Sequence, residues 1–343
     1  MALTYAELAM VFRQRYDRGG YHAAAFYRAF FAGGPDHWKA LPAFTASPRL
    51  AQSVAADLRH RPLTCLRREE QEGAIKLVFA LADGMSVETV VIPMAHHTTV
   101  CISCQVGCRM GCGFCETGQM GLLRHLTPDE MVGQLHAVKV GLGMDVRNVV
   151  FMGMGEPLDN FDNVIQAIRV LSDQRGLNVA LRRITLSTAG VVPGIQRLTA
   201  LGWPQLKLAV SLNAAEETLR STLMPINRRY GLSSLKAALA GYPLARGNVL
   251  LVEYVLMRGI NDQEAHADQV AAFLDGLSAR LNLIPYNPRY RSPYQAPTET
   301  DIHRFQQALI HRNVFVRLRS SKGAGMRAAC GQLGVACNSR RRD

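Results

Sequence analysis

Cys108, Cys112 and Cys115 stand at x3 and x2 spacing in Cys108-Arg-Met-Gly-Cys112-Gly-Phe-Cys115. Three thiolates on one tight loop can bind three irons of a 4Fe–4S cubane and leave the fourth open, whereas most 4Fe–4S electron carriers use a fourth cysteine. An open iron can chelate a ligand through an amino and a carboxylate group and pass it an electron. A zinc knuckle would instead need a fourth Cys or His at similar spacing. Glycines at 107, 111, 113 and 118 let the loop wrap closely around an inorganic core. Of eight cysteines, five fall between positions 101 and 115, too dense for chance burial. The opening residues lack the basic-then-apolar layout of a signal peptide, so the thiols argue for metal or thiol chemistry rather than a disulfide framework.

A loop of this kind needs a rigid rim to sit on. From about residue 98 a strand–helix alternation begins, with strands expected over 98–103, 148–154, 183–187, 206–213, 249–257 and 280–286. Helix-like stretches at 128–140, 160–172, 263–274 and 299–311 lie between or after them. Short apolar strands are expected where both faces of a parallel strand are covered, so the fold class is α/β, an open partial barrel of six strand–helix units. A last strand over 314–319 leads into a Gly/Ala/Cys-rich tail. Residues 1–70 read as a helical accessory region, broken by Pro35, Pro42, Pro48 and Pro62. A hairpin follows, its strands at 74–81 and 86–92 joined around Asp83-Gly84. The expected parts are 1–70, a hairpin extension 71–97, a core 98–320 and a tail 321–343.

Gly153-Met154-Gly155-Glu156-Pro157 follows the second core strand, where small residues let backbone approach a ligand and an acid can accept bonds from an ammonium group. With the cysteine loop, and an aromatic residue just before the third cysteine, this resembles the radical S-adenosylmethionine (SAM) superfamily. A reductively cleaved C–S bond of SAM is the chemistry that resemblance implies.

No apolar run approaches the ~18 residues of a membrane span, so a cytoplasmic location is expected. Lys and Arg number 39 against 27 Asp and Glu, a net charge of +12. The excess gathers at Arg13, Arg15 and Arg18, at Arg59, Arg61, Arg67 and Arg68, and at Arg340, Arg341 and Arg342. A solvated surface would account for such charge, but the clusters also suit a phosphate backbone.

Further motifs narrow the resemblance to the RlmN/Cfr family of RNA adenine methyltransferases, from about Glu88 to Leu333. They are Glu88-Thr-Val-Val-Ile-Pro, Cys101-Ile-Ser-Cys-Gln-Val-Gly-Cys108, Gly153-Met-Gly-Glu-Pro-Leu, Leu186-Ser-Thr-Ala-Gly, Ser211-Leu-Asn, Met224-Pro-Ile-Asn, Leu283-Ile-Pro-Tyr-Asn-Pro and Ala328-Ala-Cys-Gly-Gln-Leu. The resemblance implies a 4Fe–4S cluster on Cys108, Cys112 and Cys115, two SAM per turnover, and methylation of adenine C2 in 23S rRNA and in tRNA. It places a methyl-carrying thiol at Cys330, a resolving thiol at Cys101 and a proton acceptor at Glu88. Gly155, Glu156, Ser187, Ser211, Leu212, Asn213 and Asn287 become expected SAM contacts. An electron donor of flavodoxin or ferredoxin type and a monomeric state follow from the same likeness. Three departures stand out: Asn213 where His is usual, Cys104 where Ser is usual, and a 322–327 segment without acidic residues. They leave methylation at C8 open beside C2. A non-catalytic iron–sulfur RNA-binding protein would give Cys330 no role, and a small-molecule radical SAM enzyme would leave the basic clusters unused. Residues three apart on a strand face opposite ways, so Cys101 and Cys104 should not both reach Cys330, and the resemblance assigns that role to Cys101. Cys65 and Cys337 read as structural or surface thiols.

Overall fold

The computed structural model describes residues 2–34, 36–58, 62–289, 292–319 and 325–334. Arg59, Arg61, positions 322–324, Cys337 and Arg340, Arg341 and Arg342 lie outside the described residues. The strands are β1 Thr64–Gln71, β2 Ala74–Ala80, β3 Ser86–Met94, β4 His97–Cys101, β5 Gln105–Cys108, β6 Gly121–His125, β7 Val146–Phe151, β8 Ile184–Thr188, β9 Lys207–Ser211, β10 Leu250–Leu256, β11 Ala279–Pro285 and β12 Val316–Leu318. Ten form one sheet in the order β1-β2-β3-β4-β7-β8-β9-β10-β11-β12, antiparallel as far as β4 and parallel from β4 onward. Ile92 of β3 and Arg317 of β12 line the same cavity, so the sheet curls into an open partial barrel without β1 and β12 pairing.

Each crossover returns through a helix on the outer face, as parallel strands require. In the helix Phe161–Ser172, Val164, Ile168 and Leu171 recur at four- and three-residue spacing and are fully buried. Thr127 with Glu130 and Thr298 with Asp301 form capping boxes that fix two helix starts. The helix expected over 128–140 is α-helical only to His136 and ends as a wider π turn, Ala137–Gly141. Near the amino terminus, helices 5–16 and 20–33 pack Phe12, Phe26 and Phe30 against Trp38 and Phe44.

One expectation is corrected. Residues 64–71 are not the end of a helical region but strand β1, paired with β2 from Thr64↔Ala80 to Gln71↔Ala74. The segment Thr-Cys-Leu-Arg-Arg-Glu-Glu-Gln has no apolar alternation because both its faces are largely exposed, and charge on a sheet edge blocks further pairing. Among the described residues no helix is long and apolar enough to cross a membrane.

Candidate active site

The cysteine loop leaves β5 and ends in the short helix Glu116–Gln119. Gly107, at φ +75°, makes the turn possible: a Cβ there would lie 1.8 Å from the Gly121 carbonyl oxygen. Burial pushes the Cys108 thiol up to about 12 and the Cys112 thiol well above its ordinary value, and it raises Cys115 as well. The neighbouring sulfurs add to this, Cys115 and Cys108 acting on Cys112. Backbone N–H groups oppose it, from Met110 toward Cys108 and from Gly118 and Thr117 toward Cys115. Buried thiols crowded together lose their protons readily only to a metal, and N–H bonds to sulfur stabilise the thiolates that result. The donor set therefore fits an iron–sulfur cluster. Among the described residues no three His, Cys, Asp or Glu side chains close on a single metal ion. A cubane does not need that, since it takes one thiolate per iron.

The expected SAM contacts gather beside this loop, at the carboxyl ends of the parallel strands. Gly155 and Glu156 follow β7, Ser187 lies in β8, Ser211 ends β9 with Leu212 and Asn213 after it, and Asn287 follows β11. Gly153 and Gly155 pack against the link from β4 to β5. A Cβ on Gly153 would come 2.7 Å from the Ile102 oxygen, and one on Gly155 2.5 Å from the Gln105 side chain. The Glu156 carboxylate accepts backbone N–H bonds from Leu158 at 3.0 Å and Ala189 at 2.7 Å. Burial still lifts its pKa to about 7. Asn213 sits at φ +57°, its amide donating to the Met224 sulfur at 3.2 Å and accepting from the Val255 N–H at 2.8 Å. Its side chain thus braces the loop, whereas Ser187 and Ser211 keep accessible surface.

Cys330 lines a cavity of about 500 Å³ inside the curled sheet. It presents surface to that cavity while ringed by protein; the crowding raises its pKa and the Arg319 guanidinium opposes the rise. Cys101, the last residue of β4, feels Cys330 and is pushed up to about 12, chiefly by burial. Cys104 responds instead to Glu156, Cys108 and Asp159 after burial itself, so the two thiols face different neighbours. Glu88 is fully buried, 3.5 Å from the Lys76 ammonium, and its backbone carbonyl accepts the Ser103 hydroxyl at 2.6 Å. Cys65 is exposed.

Several residues that hold this arrangement were not singled out from the sequence. Lys76 donates to the carbonyls of Met326 and Arg327 at 3.3 and 3.4 Å, tying the Cys330 segment to β2. At the other end Glu116 N–H meets the Gly331 oxygen at 2.7 Å and Thr117 Oγ1 the Leu333 oxygen at 2.7 Å. Arg220, fully buried, donates to the carbonyls of Leu212 at 3.1 Å, Ala189 at 2.9 Å and Ser211 at 3.1 Å, and to Asn227 Oδ1 at 2.7 Å. Glu253 accepts from Arg319 at 3.2 Å and Asn282 at 2.8 Å. A lone charge inside an apolar strand, as in Ala-Ile-Lys76-Leu-Val and Leu-Val-Glu253-Tyr-Val, is the signal that marks Lys76 and Glu253.

A curled parallel sheet with a three-cysteine loop on its carboxyl rim defines a class, and the model of the radical SAM superfamily matches residues 102–270. A crystal structure of a radical SAM methyltransferase from Sphaerobacter thermophilus superposes with a TM-score of 0.89 at 40% identity, covering 97% of this chain and 98% of that one. The probable dual-specificity RNA methyltransferase RlmN 1 of Protochlamydia amoebophila (strain UWE25) is 42% identical over 92% of this chain and 88% of its own length. The dual-specificity RNA methyltransferase RlmN of Syntrophobacter fumaroxidans (strain DSM 10017 / MPOB) is 41% identical over 91% of each. The chain belongs to the RlmN family of radical SAM methyltransferases.

Proposed function

We propose that this enzyme methylates an adenine ring carbon, C2, in 23S rRNA and in tRNA, using Cys330 as methyl carrier and Cys101 as resolving thiol. The observation that carries the reading is that Cys330, which lines the cavity, acts electrostatically on the buried Cys101 at the end of β4, although the two are far apart in sequence. The relatives' description as dual-specificity RNA methyltransferases supports RNA as the substrate.

Cys108, Cys112 and Cys115 would hold the cluster, and Gly155, Glu156, Ser187, Ser211, Leu212, Asn213 and Asn287 would frame SAM. When bound, the pair supplies a 5′-deoxyadenosyl radical by reductive cleavage of the SAM C–S bond, the electron coming from a flavodoxin- or ferredoxin-type donor. The chain's own residues do the rest. Cys330 first takes a methyl group from one SAM onto its sulfur, losing the thiol proton and leaving S-adenosylhomocysteine. Loss of a hydrogen atom from that methyl leaves an S–CH2 radical, which bonds to the adenine carbon. Glu88 accepts the proton from that carbon. Cys101, as thiolate, attacks the Cys330 sulfur; the S–CH2 bond breaks, a disulfide forms, one electron passes back to the flavodoxin- or ferredoxin-type carrier, and the methylene gains a proton to become the product methyl. External thiol reductant resets the pair.

The 71–97 extension thus brings Glu88, the 98–320 core the cluster and SAM, and the 321–343 tail Cys330. The test is mass spectrometry of digested rRNA and tRNA after incubation with anaerobically reconstituted enzyme, SAM and reductant. We expect 2-methyladenosine. 8-Methyladenosine would move the assignment to C8, and unmodified RNA with a modified small molecule would overturn the RNA reading.

A further inference from the structure

We infer that Arg183, Lys207, Arg280 and Arg317 form a phosphate-binding ring at the mouth of the Cys330 cavity, through which one unpaired nucleotide of the RNA reaches the thiols. This rests on the RNA reading above and deepens it by naming where and how the RNA is held.

The four cations line the cavity from the ends of the strands opposite the cysteine loop. Lys207 begins β9, opposite Thr185 of β8, and Arg183 ends the 3-10 turn Leu181–Arg183 that leads into β8. Arg317 lies opposite Asn282 of β11, and Arg280 two residues before Asn282. Arg317 and Gly247 are exposed, so the cavity is open at this end. Glu253 is the one acidic lining residue, and it is engaged by Arg319 and Asn282. Among the described residues none of the four forms an ion pair; Arg280 only lies over the Phe315 ring. Their crowding is felt: burial lowers the Lys207 pKa first, and Arg183 and Arg280 lower it further. Four like charges around one opening persist only if an anion, or solvent and salt, answers them.

The cavity volume of about 500 Å³ suits a single small ligand rather than a helix. From His97 to Cys101 the strand β4 has five residues, so its ends lie four steps apart, about 13 Å at the usual rise. A base drawn out of its stack can lie along that depth while its flanking phosphates stay at the ring. By contrast, three of the five described arginines in the clusters that stand out in the sequence are answered by carboxylates: Arg15 by Asp57 at 2.7 Å, Arg67 by Glu69, and Arg68 by Glu70 at 3.1 Å.

The test is anisotropy of a fluorescein-labelled RNA hairpin with adenines in its loop, titrated with full-length protein at several salt concentrations. Arg183→Gln/Lys207→Gln and Arg280→Gln/Arg317→Gln should each bind at least ~10-fold more weakly at low salt, with the log–log salt slope smaller by about 1 to 2. Arg183→Lys/Arg280→Lys, which keeps the charge, should bind within ~3-fold of the parent, and unchanged thermal midpoints exclude misfolding. Parent-like binding by both Gln variants, with the loss found instead in Arg67→Gln/Arg68→Gln, would overturn the ring and leave the RNA reading intact. No salt-dependent RNA binding by the parent protein would defeat both.

Discussion

The two ends of the curled sheet are built in opposite ways. At the carboxyl rim nearly every charge is answered from within the chain. Arg220 makes four hydrogen bonds and Glu156 accepts two backbone N–H bonds. At the amino end four cations line the opening without an ion pair among the described residues. Satisfied polar groups fix geometry to fractions of an ångström; unanswered ones keep free energy for a ligand. On the proposed function, the difference separates the end that would hold cofactors still from the end that would take hold of substrate.

The contrast can be broken at either end, and the largest effects belong to the rim. Replacing Cys108, Cys112 or Cys115 by Ala should abolish reconstitution, the iron content falling from about four per chain to near zero with loss of the SAM-sensitive cluster signal. Unchanged iron in all three variants would end the cluster assignment. Arg220→Met strands three carbonyls and Asn227, and should lower the unfolding free energy by about 3 kcal/mol in a denaturant titration. A cost under about 1 kcal/mol would mean that the rim is less tightly braced than its hydrogen bonds imply.

The Cys101 thiol sharpens the comparison from inside the cavity. Because burial pushes it up to about 12, its thiolate fraction should rise tenfold per pH unit across the neutral and alkaline range. Diamide-driven formation of the Cys101–Cys330 disulfide, followed by mass spectrometry, should accelerate from pH 7 to pH 10 without a plateau. A plateau near pH 8.5 would show an ordinary thiol.

The smallest effect is expected at the mouth. The folded-state pKa of Lys207 lies below its usual 10.5, so the unfolded chain binds more protons between the two values, and stability rises with pH through that window. Lys207→Met should therefore leave the unfolding free energy unchanged or raise it by less than about 1 kcal/mol in a denaturant titration, because solvent screens the site. A clear loss of stability would place Lys207 among the structural residues instead.

Much of this was legible in the sequence, for stated reasons. The cysteine spacing and the Gly-Met-Gly-Glu turn are local patterns, and the strand–helix alternation shows in short apolar runs that the structure reproduces to within a few residues. β1 was missed because an exposed edge strand carries no apolar alternation. Arg220 was missed because three of its four hydrogen bonds go to backbone carbonyls, which leave no trace in residue type. Lys76 does stand out as a lone charge in an apolar strand, but the carbonyls it meets lie some 250 residues away, and nothing in residue type ties the two segments together. The ring at the cavity mouth was missed for a related reason. Its cations are spread over four separate segments in or just before β8, β9, β11 and β12, while of the five described arginines in the runs that catch the eye in sequence three turn out paired.

The central claim is that Cys330 carries the methyl and Cys101 releases the product. Its most direct test is a denaturing gel that separates free RNA from protein-linked RNA after reaction with Cys101→Ala, Cys104→Ala and the double variant, with Cys330→Ala alongside. Cys101→Ala should hold RNA covalently through the Cys330 methylene, and Cys104→Ala should not, since Cys104 looks toward Glu156 and Cys108 rather than Cys330. Cys330→Ala should give neither methylated nor linked RNA. Trapping only in Cys104→Ala would exchange the roles of the two thiols. Intact methylation by Cys330→Ala, with no linked RNA in any variant, would contradict the two-cysteine mechanism.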